Sequence, residues 1–226
     1  MSKVELQAAI REYLHLSVDC SKGPHGPIGS WDVSAVADNL WGIFNGESSF
    51  NGDISEWDVS SVTNMAYMFH SASTFNGDIS KWDVSRVIVT SHMFSSASLF
   101  NSDISKWDVS NVTTVNHMFS AASLFNGDIS KWDVSKVITM ASMFYSATSF
   151  NCDISEWDVS KVTQMNYMFW KATSFKQDLC EAPWINSKAS KIKMFAFAGS
   201  TGTVCMATFA SKATLKLAVS SCLKVS

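Results

Sequence analysis

The stretch WDVSSVTNMAYMFHSASTFNGDISK, residues 57–81, runs directly into a second copy of itself that begins at Trp82. The tetrad W-D-V-S opens six such copies, at Trp31, Trp57, Trp82, Trp107, Trp132 and Trp157, with a first interval of 26 residues and later ones of 25. Self-similarity at a period of about 20–50 residues is the signature of a solenoid, in which each unit buries its apolar face only against its neighbours. The unit reads W-D-V-S-x-V-x-x-M-x-x-M-F-x-x-A-x-x-F-N-x-D-I-S-x. Two phenylalanine columns hold the 25-residue step throughout: Phe44, Phe69, Phe94, Phe119, Phe144, Phe169 and Phe50, Phe75, Phe100, Phe125, Phe150, Phe175.

Spacing divides the unit in two. Met65, Met68, Phe69 and Ala72 fall at i, i+3, i+4, i+7, which predicts one or two turns of helix. Ile54, Trp57, Val59 and Val62 follow the L-x-x-L-x-L-x-x-L spacing of a leucine-rich repeat, which predicts a short strand with Trp57 and Val59 inward and Asp58 outward. The Phe75–Asp78 run supplies turn chemistry, since Asn and Asp bond their own backbone and Gly tolerates positive φ.

These residues carry a resemblance. The unit resembles the BspA-like branch of the leucine-rich repeats, most closely the bacterial surface-protein repeat with the signature F-N-x-D-I-S-x-W-D-V-S-x-V-T-x-M-x-x-M-F, and in its C-terminal segment a microalgal-type member. The resemblance covers residues 27–180. It implies a mixed α/β repeat, a right-handed LRR-like solenoid of short parallel strands and short helical turns with caps at both ends. It also implies a binding or adhesion role with no catalytic residues.

The expected organisation is therefore a cap helix and entry turn over 1–26, six repeats over 27–180, a degenerate seventh repeat or C-terminal cap over 181–205, and a tail over 206–226. Leu6, Ile10 and Leu14 at i, i+4, i+8 predict the amphipathic cap helix. Trp184 and the Met194-Phe195 pair repeat the register one to two residues late. In microalgal members the C-terminal cap resembles Q-D-L-C-x-x-W, then M-F and a final Cys, and Gln177 to Cys180 with Cys205 match it. The resemblance thus implies a Cys180–Cys205 disulfide. The remaining cysteines, Cys20, Cys152 and Cys222, show no metal-type spacing.

Composition bounds the function. At 226 residues and 46 % hydrophobic there is ample core for one domain, and a net charge of −3 carries neither a nucleic-acid footprint nor a polybasic membrane patch. Lys3, Glu5, Arg11 and Glu12 interrupt any signal-peptide core at the first residues, whereas the resemblance favours a surface or secreted setting; the compartment stays open. No transmembrane segment is expected.

Two acidic columns recur, Asp32, Asp58, Asp83, Asp108, Asp133, Asp158 and Asp53, Asp78, Asp103, Asp128, Asp153, Asp178. All but Asp178, which is followed by Leu179 and Cys180, precede a Ser at i+2, so Asx-type capping of the local backbone is favoured over a calcium or mineral comb. The candidate binding strip is the column before Trp, with Glu56, Lys81, Lys106, Lys131 and Glu156, joined by Asp83, Asp108 and Asp133. His92 and His117 share one column, two residues before the Phe, with Tyr67, Ser142 and Tyr167, which places the two imidazoles near each other without further metal ligands. No phosphate loop, H-E-x-x-H or G-x-S-x-G occurs, so neither a cofactor nor a metal is expected. The expectation is a non-enzymatic solenoid holding a protein or glycan partner on its strand face. The alternatives are a structural subunit of a larger assembly and a calcium- or mineral-associated adhesin using the Asp ladders.

Overall fold

A computed structural model describes residues 3–16, 26–36, 38–199 and 203–204. The entry-turn residues 23–25, the tail from residue 205 onward, and Cys20, Cys205 and Cys222 lie outside the described residues. Regular elements are few: α1 (Lys3–Leu16), two single 3-10 turns at Ile28–Ser30 and Ser34–Val36, β1 (Asp178–Leu179), α2 (Ala182–Asn186) and β2 (Thr203–Val204).

Between these elements each repeat forms one coil, and the segment expected to be helical departs from that expectation in an informative way. In residues 65–72 the odd-numbered amides leave the coil: Met65, Tyr67, Phe69 and Ser71 donate to the carbonyls of Val89, Ser91, Met93 and Ser95 at 2.8–3.0 Å. The even-numbered ones stay, as Met68, His70 and Ala72 donate to Met65, Tyr67 and Phe69, three residues back, at 3.1–3.2 Å. The result is a chain of overlapping turns, not an α-helix. Two residues per coil adopt a left-handed φ, Tyr67 (58°) and Ser71 (60°) here and His92 (60°) and Ser96 (61°) in the next. This φ rotates every second N–H out of the coil. An α-helix satisfies its amides internally and leaves none for a neighbour, so a stack whose coils bond one another cannot use one here. The i, i+3, i+4, i+7 apolar spacing is common to both solutions, which is why it was read as a helix.

The W-D-V-S half also differs from a strand. Trp57 and Val59 are buried and Asp58 is exposed, the expected alternation. The backbone, however, folds into two turns, Trp57 N–H to Ile54 O at 3.1 Å and Val62 N–H to Val59 O at 2.9 Å. No strand ladder runs along it. Between the repeats, parallel pairing takes the form of single bridges six to eight residues beyond the Trp, linking Asn39, Asn64, Val89, Thr114, Thr139, Gln164 and Ser190 in succession. Side chains hold the rest of the stack. From the second repeat on, the tetrad indole N–H reaches back to an isoleucine carbonyl of the preceding coil, as does that of Trp184: Trp57 to Ile28, Trp82 to Ile54, Trp107 to Ile79, Trp132 to Ile104, Trp157 to Ile129 and Trp184 to Ile154, at 2.9–3.2 Å, whereas Trp31 donates to the Gly26 carbonyl. Trp184 therefore does for the C-terminal segment what the tetrad Trp does elsewhere.

The asparagine of F-N-x-D works across coils rather than on its own backbone. Asn51 Oδ1 accepts the amide of Asn76, and the pattern continues through Asn101, Asn126 and Asn151 to Lys176, at 2.8–2.9 Å. A side-chain amide so placed replaces the backbone ladder that these turns cannot make.

The core is a double file of phenylalanine rings. Phe119 stacks on Phe94 and Phe144 at 5.7 Å and on Phe125 of its own coil at 3.9 Å. All four are fully buried. At the N-terminal end α1 lays Leu6, Ala9, Ile10 and Tyr13 on the first coil, and Tyr13 meets Trp31 edge-on at 4.7 Å. Tyr13, not Leu14, is thus the last residue of that face to be fully buried; Leu14 packs at its margin. Gln7 donates to the Gly42 carbonyl and Arg11 pairs with Glu47 at 3.6 Å, so the helix also takes up polar groups at the first coil's edge. At the other end β1 pairs in parallel with β2, Leu179 opposite Val204.

Candidate functional site

Two exposed surfaces arise from this wiring. The first surrounds the W-D-V-S turns. Glu56, Lys81, Lys106, Lys131, Glu156, Asp83, Asp108 and Asp133 are all exposed there, as their columns require. Lys81 approaches Glu56 at 3.9 Å with both side chains about three-quarters exposed, which is worth little in stability. The carboxylates are locally occupied: Asp58, Asp83, Asp108, Asp133 and Asp158 each accept the amide of the Ser two residues on through Oδ1, at 3.0 Å. Asp53, Asp78, Asp103, Asp128 and Asp153 do the same at 2.9–3.0 Å. These Ser side-chain and backbone donors hold Asp58, Asp83 and Asp133 below the ordinary carboxylate value, and Lys136 and Lys161 add to the effect at Asp133. Asp178 departs from the pattern: the residue two positions on is Cys180 rather than Ser, and Asp178 lies in β1.

One column of this surface escaped the sequence reading. From the second repeat on, the residue immediately after the tetrad is Ser61, Arg86, Asn111, Lys136 or Lys161, exposed in each of these five coils. Lys136 Nζ donates to Asn111 Oδ1 at 2.7 Å, across one coil step. Variation at an otherwise rigid register was the signal available for it.

The second surface is built from the turn chain. Its first column lies at the left-handed residues Gly42, Tyr67, His92, His117, Ser142, Tyr167 and Lys193; Gly42 and Ser142 are buried, the rings are half-buried and Lys193 is exposed. Tyr67 stacks on His92 and His92 on His117, both at 4.4 Å and within 10° of parallel. Trp41 leans on Tyr67 at 5.7 Å, and His70 meets Tyr67 edge-on at 5.6 Å. Toward the C-terminal end Tyr145, Tyr167, Trp170 and Phe197 continue the aromatic surface, with Lys193 above the Trp170 ring. Burial, with the neighbouring imidazoles His117 and His70, pushes the His92 pKa down to about 4; burial also lowers His70 and His117. The shared column of His92 and His117 was legible in the sequence. So was the presence of Tyr67, Ser142 and Tyr167 in that column; the face-to-face stacking of the rings and the contact of Trp41 with Tyr67 were not.

Among the described residues no group of three or more His, Cys, Asp or Glu side chains is arranged to hold a metal ion. A small apolar void between coils, about 10 Å³, is lined by Thr90, Val115, Met118, Trp132 and Val137 among others, too small and too apolar for an ordered water. Cys180 is disulfide-bonded; its expected partner, Cys205, follows β2 outside the described residues. Cys152 is a free, half-buried thiol whose pKa burial raises. Among the described residues no helix is long and apolar enough to cross a membrane.

These features define a tandem-repeat protein whose coils are joined by turns, indoles and asparagines rather than by sheets. The family described as "Mycoplasma protein of unknown function, DUF285" matches residues 15–123 and again 100–204, and the chain belongs to this BspA-type repeat family. No curated protein and no solved structure matches it.

Proposed function

We propose that the chain is a non-catalytic recognition module, an LRR-like solenoid of the right-handed kind that the resemblance implies, holding a protein or glycan partner on the exposed surface of its coils. One observation carries the reading. The residues common to every repeat are consumed in building the stack, the Trp on an Ile carbonyl, the Asn on the next coil's amide, the Asp on its own Ser and the Phe on its neighbours. What remains for function is the set of outward positions whose chemistry changes from coil to coil, and stacked repeats characteristically bind through such extended surfaces. On the W-D-V-S side these positions are Glu56, Lys81, Lys106, Lys131 and Glu156, with Asp83, Asp108 and Asp133 between them.

A native pull-down with the full chain, in calcium and again in EGTA, tests the reading. A partner retained in both buffers, and weakened by Lys81→Glu, Lys106→Glu and Lys131→Glu together, supports it; no partner under either condition contradicts it. A partner lost only in EGTA favours the calcium-dependent adhesin instead. The Asp geometry supports that alternative least, because one oxygen of each repeat carboxylate already accepts a Ser amide. A structural subunit of a larger assembly is favoured by Ile192 and Phe197, which expose 58 % and 68 % of their surfaces at the C-terminal end of the stack. We read the C-terminal cap as microalgal in type, with Cys180 bonded to Cys205, and a surface or secreted setting as the one such a bond fits.

A further inference from the structure

Charge is segregated between the two halves of every repeat. The turn segments 64–75, 89–100, 114–125, 139–150 and 164–175 contain no Asp and no Glu, although the chain as a whole carries 20 acidic residues and a net charge of −3. The segment 190–199 is also acid-free and holds Lys191 and Lys193. In the first coil the one turn-segment acid, Glu47, is paired with Arg11. The turn surface therefore presents the neutral imidazoles of His70, His92 and His117 and the ammonium groups of Lys171 and Lys193, and its one carboxylate, Glu47, is paired.

The ladder's geometry adds a second constraint. Tyr67, His92 and His117 cover each other's faces at 4.4 Å, so they turn only their edges outward. The edge is the positive rim of an aromatic ring, and here it also bears the phenol O–H and the imidazole nitrogens. Such a surface recognises hydrogen-bond acceptors and negative charge rather than an apolar face. Two buried ring nitrogens on the adjoining column, His70 Nδ1 and Trp170 Nε1, make no hydrogen bond. Buried polar atoms are rarely left so, but both are shut off from solvent and lie beneath the surface that a ligand would meet.

The choice of residue points the same way. At the first position of the column, where φ is 63°, the chain uses Gly42; at 55–60° in later coils it uses Tyr67, His92, His117, Ser142 and Tyr167. A non-glycine residue there is disfavoured by roughly 1 kcal/mol, so stacking fully accounts only for the side chains that stack. Ser142 has no ring to stack and is buried, so the run of stacked rings ends at His117.

We infer that the turn surface binds an anionic linear polysaccharide laid along the stack, its carboxylate or sulfate groups meeting the edges of the Tyr67–His92–His117 ladder and the ammonium groups of Lys171 and Lys193. The inference rests on the recognition reading and adds the surface and the ligand class. A polysaccharide is favoured over a protein because the ladder repeats its donors at a constant step, which matches a polymer repeating its acceptors. A protein hot spot would ask for an aromatic face or a pocket, and this ladder hides its faces.

The test uses the full chain in affinity electrophoresis and calorimetry against polygalacturonate, dextran sulfate, uncharged dextran and poly-glutamate. Binding to polygalacturonate or dextran sulfate is expected, with none to dextran or poly-glutamate. Lys171→Glu with Lys193→Glu, both at exposed positions, should weaken it about tenfold or more. His92→Ser with His117→Ser should weaken it as well, with thermal unfolding confirming that each variant is folded. Lys81→Glu, Lys106→Glu and Lys131→Glu together should leave it unchanged. No binding to either anionic polysaccharide overturns the inference, as does equal binding to dextran. Equal binding to poly-glutamate identifies an acidic protein as the partner and overturns the ligand class. Loss of binding in the Lys81, Lys106, Lys131 variant alone overturns the assigned surface while leaving the recognition reading intact.

Discussion

Replacing Trp107 by Phe tests how far the stack depends on the indole bond between coils. Trp107 is 5 % exposed and its Nε1–H donates to the Ile79 carbonyl at 3.0 Å. Phe keeps an aromatic ring in place but removes the donor, so a buried carbonyl loses its partner, a change of about 1–3 kcal/mol. The smaller ring leaves a void of roughly methyl size or more, adding about 1 kcal/mol. The sum, roughly 2–4 kcal/mol, corresponds to a fall in Tm of about 5–15 °C for a chain of this length. Thermal and urea unfolding followed by near-UV circular dichroism would measure it. Trp41→Phe is the matched control: Trp41 is 43 % exposed, and its replacement should change Tm by no more than about 2 °C. Equal Tm values for Trp107→Phe and the parent would refute the view that the tetrad Trp is there for its N–H.

Asn101→Ala removes the acceptor of the Asn126 amide and should destabilise by about 1 kcal/mol, whereas Asn101→Asp, which keeps the acceptor oxygen, should recover most of it; urea midpoints decide. His92 binds its proton less readily folded, at about 4 against an ordinary 6.5, so the unfolded chain takes up more protons between those values and stability should fall as pH drops through them. A fluorescence urea series from pH 7 to pH 4, run beside His92→Phe, should show a shallower decline in the variant; identical slopes would remove His92 as the cause. Below 3.8 the depressed carboxylates lose their Ser hydrogen bonds in turn, so a further decline is expected that Ser85→Ala blunts at Asp83. Iodoacetamide should label Cys180 only after reduction in the parent chain, and without reductant in Cys205→Ala; unchanged protection in that variant would rule out the pairing.

How the sequence and the fold correspond is clearest in single columns. The 25-residue step, the inward Trp57 and Val59, the outward Asp58 and the capping of each Asp by its Ser were legible, because periodicity and local turn chemistry reside in neighbouring letters. The helix expected around Met65 and Phe69 was not there. Its apolar spacing is shared by a chain of turns, and the deciding quantity, which amides the next coil accepts, is a property of the stack rather than of the segment. The same holds for Asn101, whose side chain acts 25 residues away. The charged strip was legible as columns, and so was the column of Tyr67, His92 and His117, whereas the left-handed φ at these residues and the stacking of their rings belong to the folded chain.

The wiring itself can be read directly. Couplings transmitted through hydrogen bonds, measured by NMR on perdeuterated full-length chain, link each amide nitrogen to the carbonyl carbon that accepts it. The account predicts cross-peaks joining Phe69 to Met93, Phe94 to Met118, Phe119 to Met143 and Phe144 to Met168, each 24 residues ahead. Couplings from those same amides to residues four positions earlier would mean α-helical turns, and the stack described for this chain would be wrong.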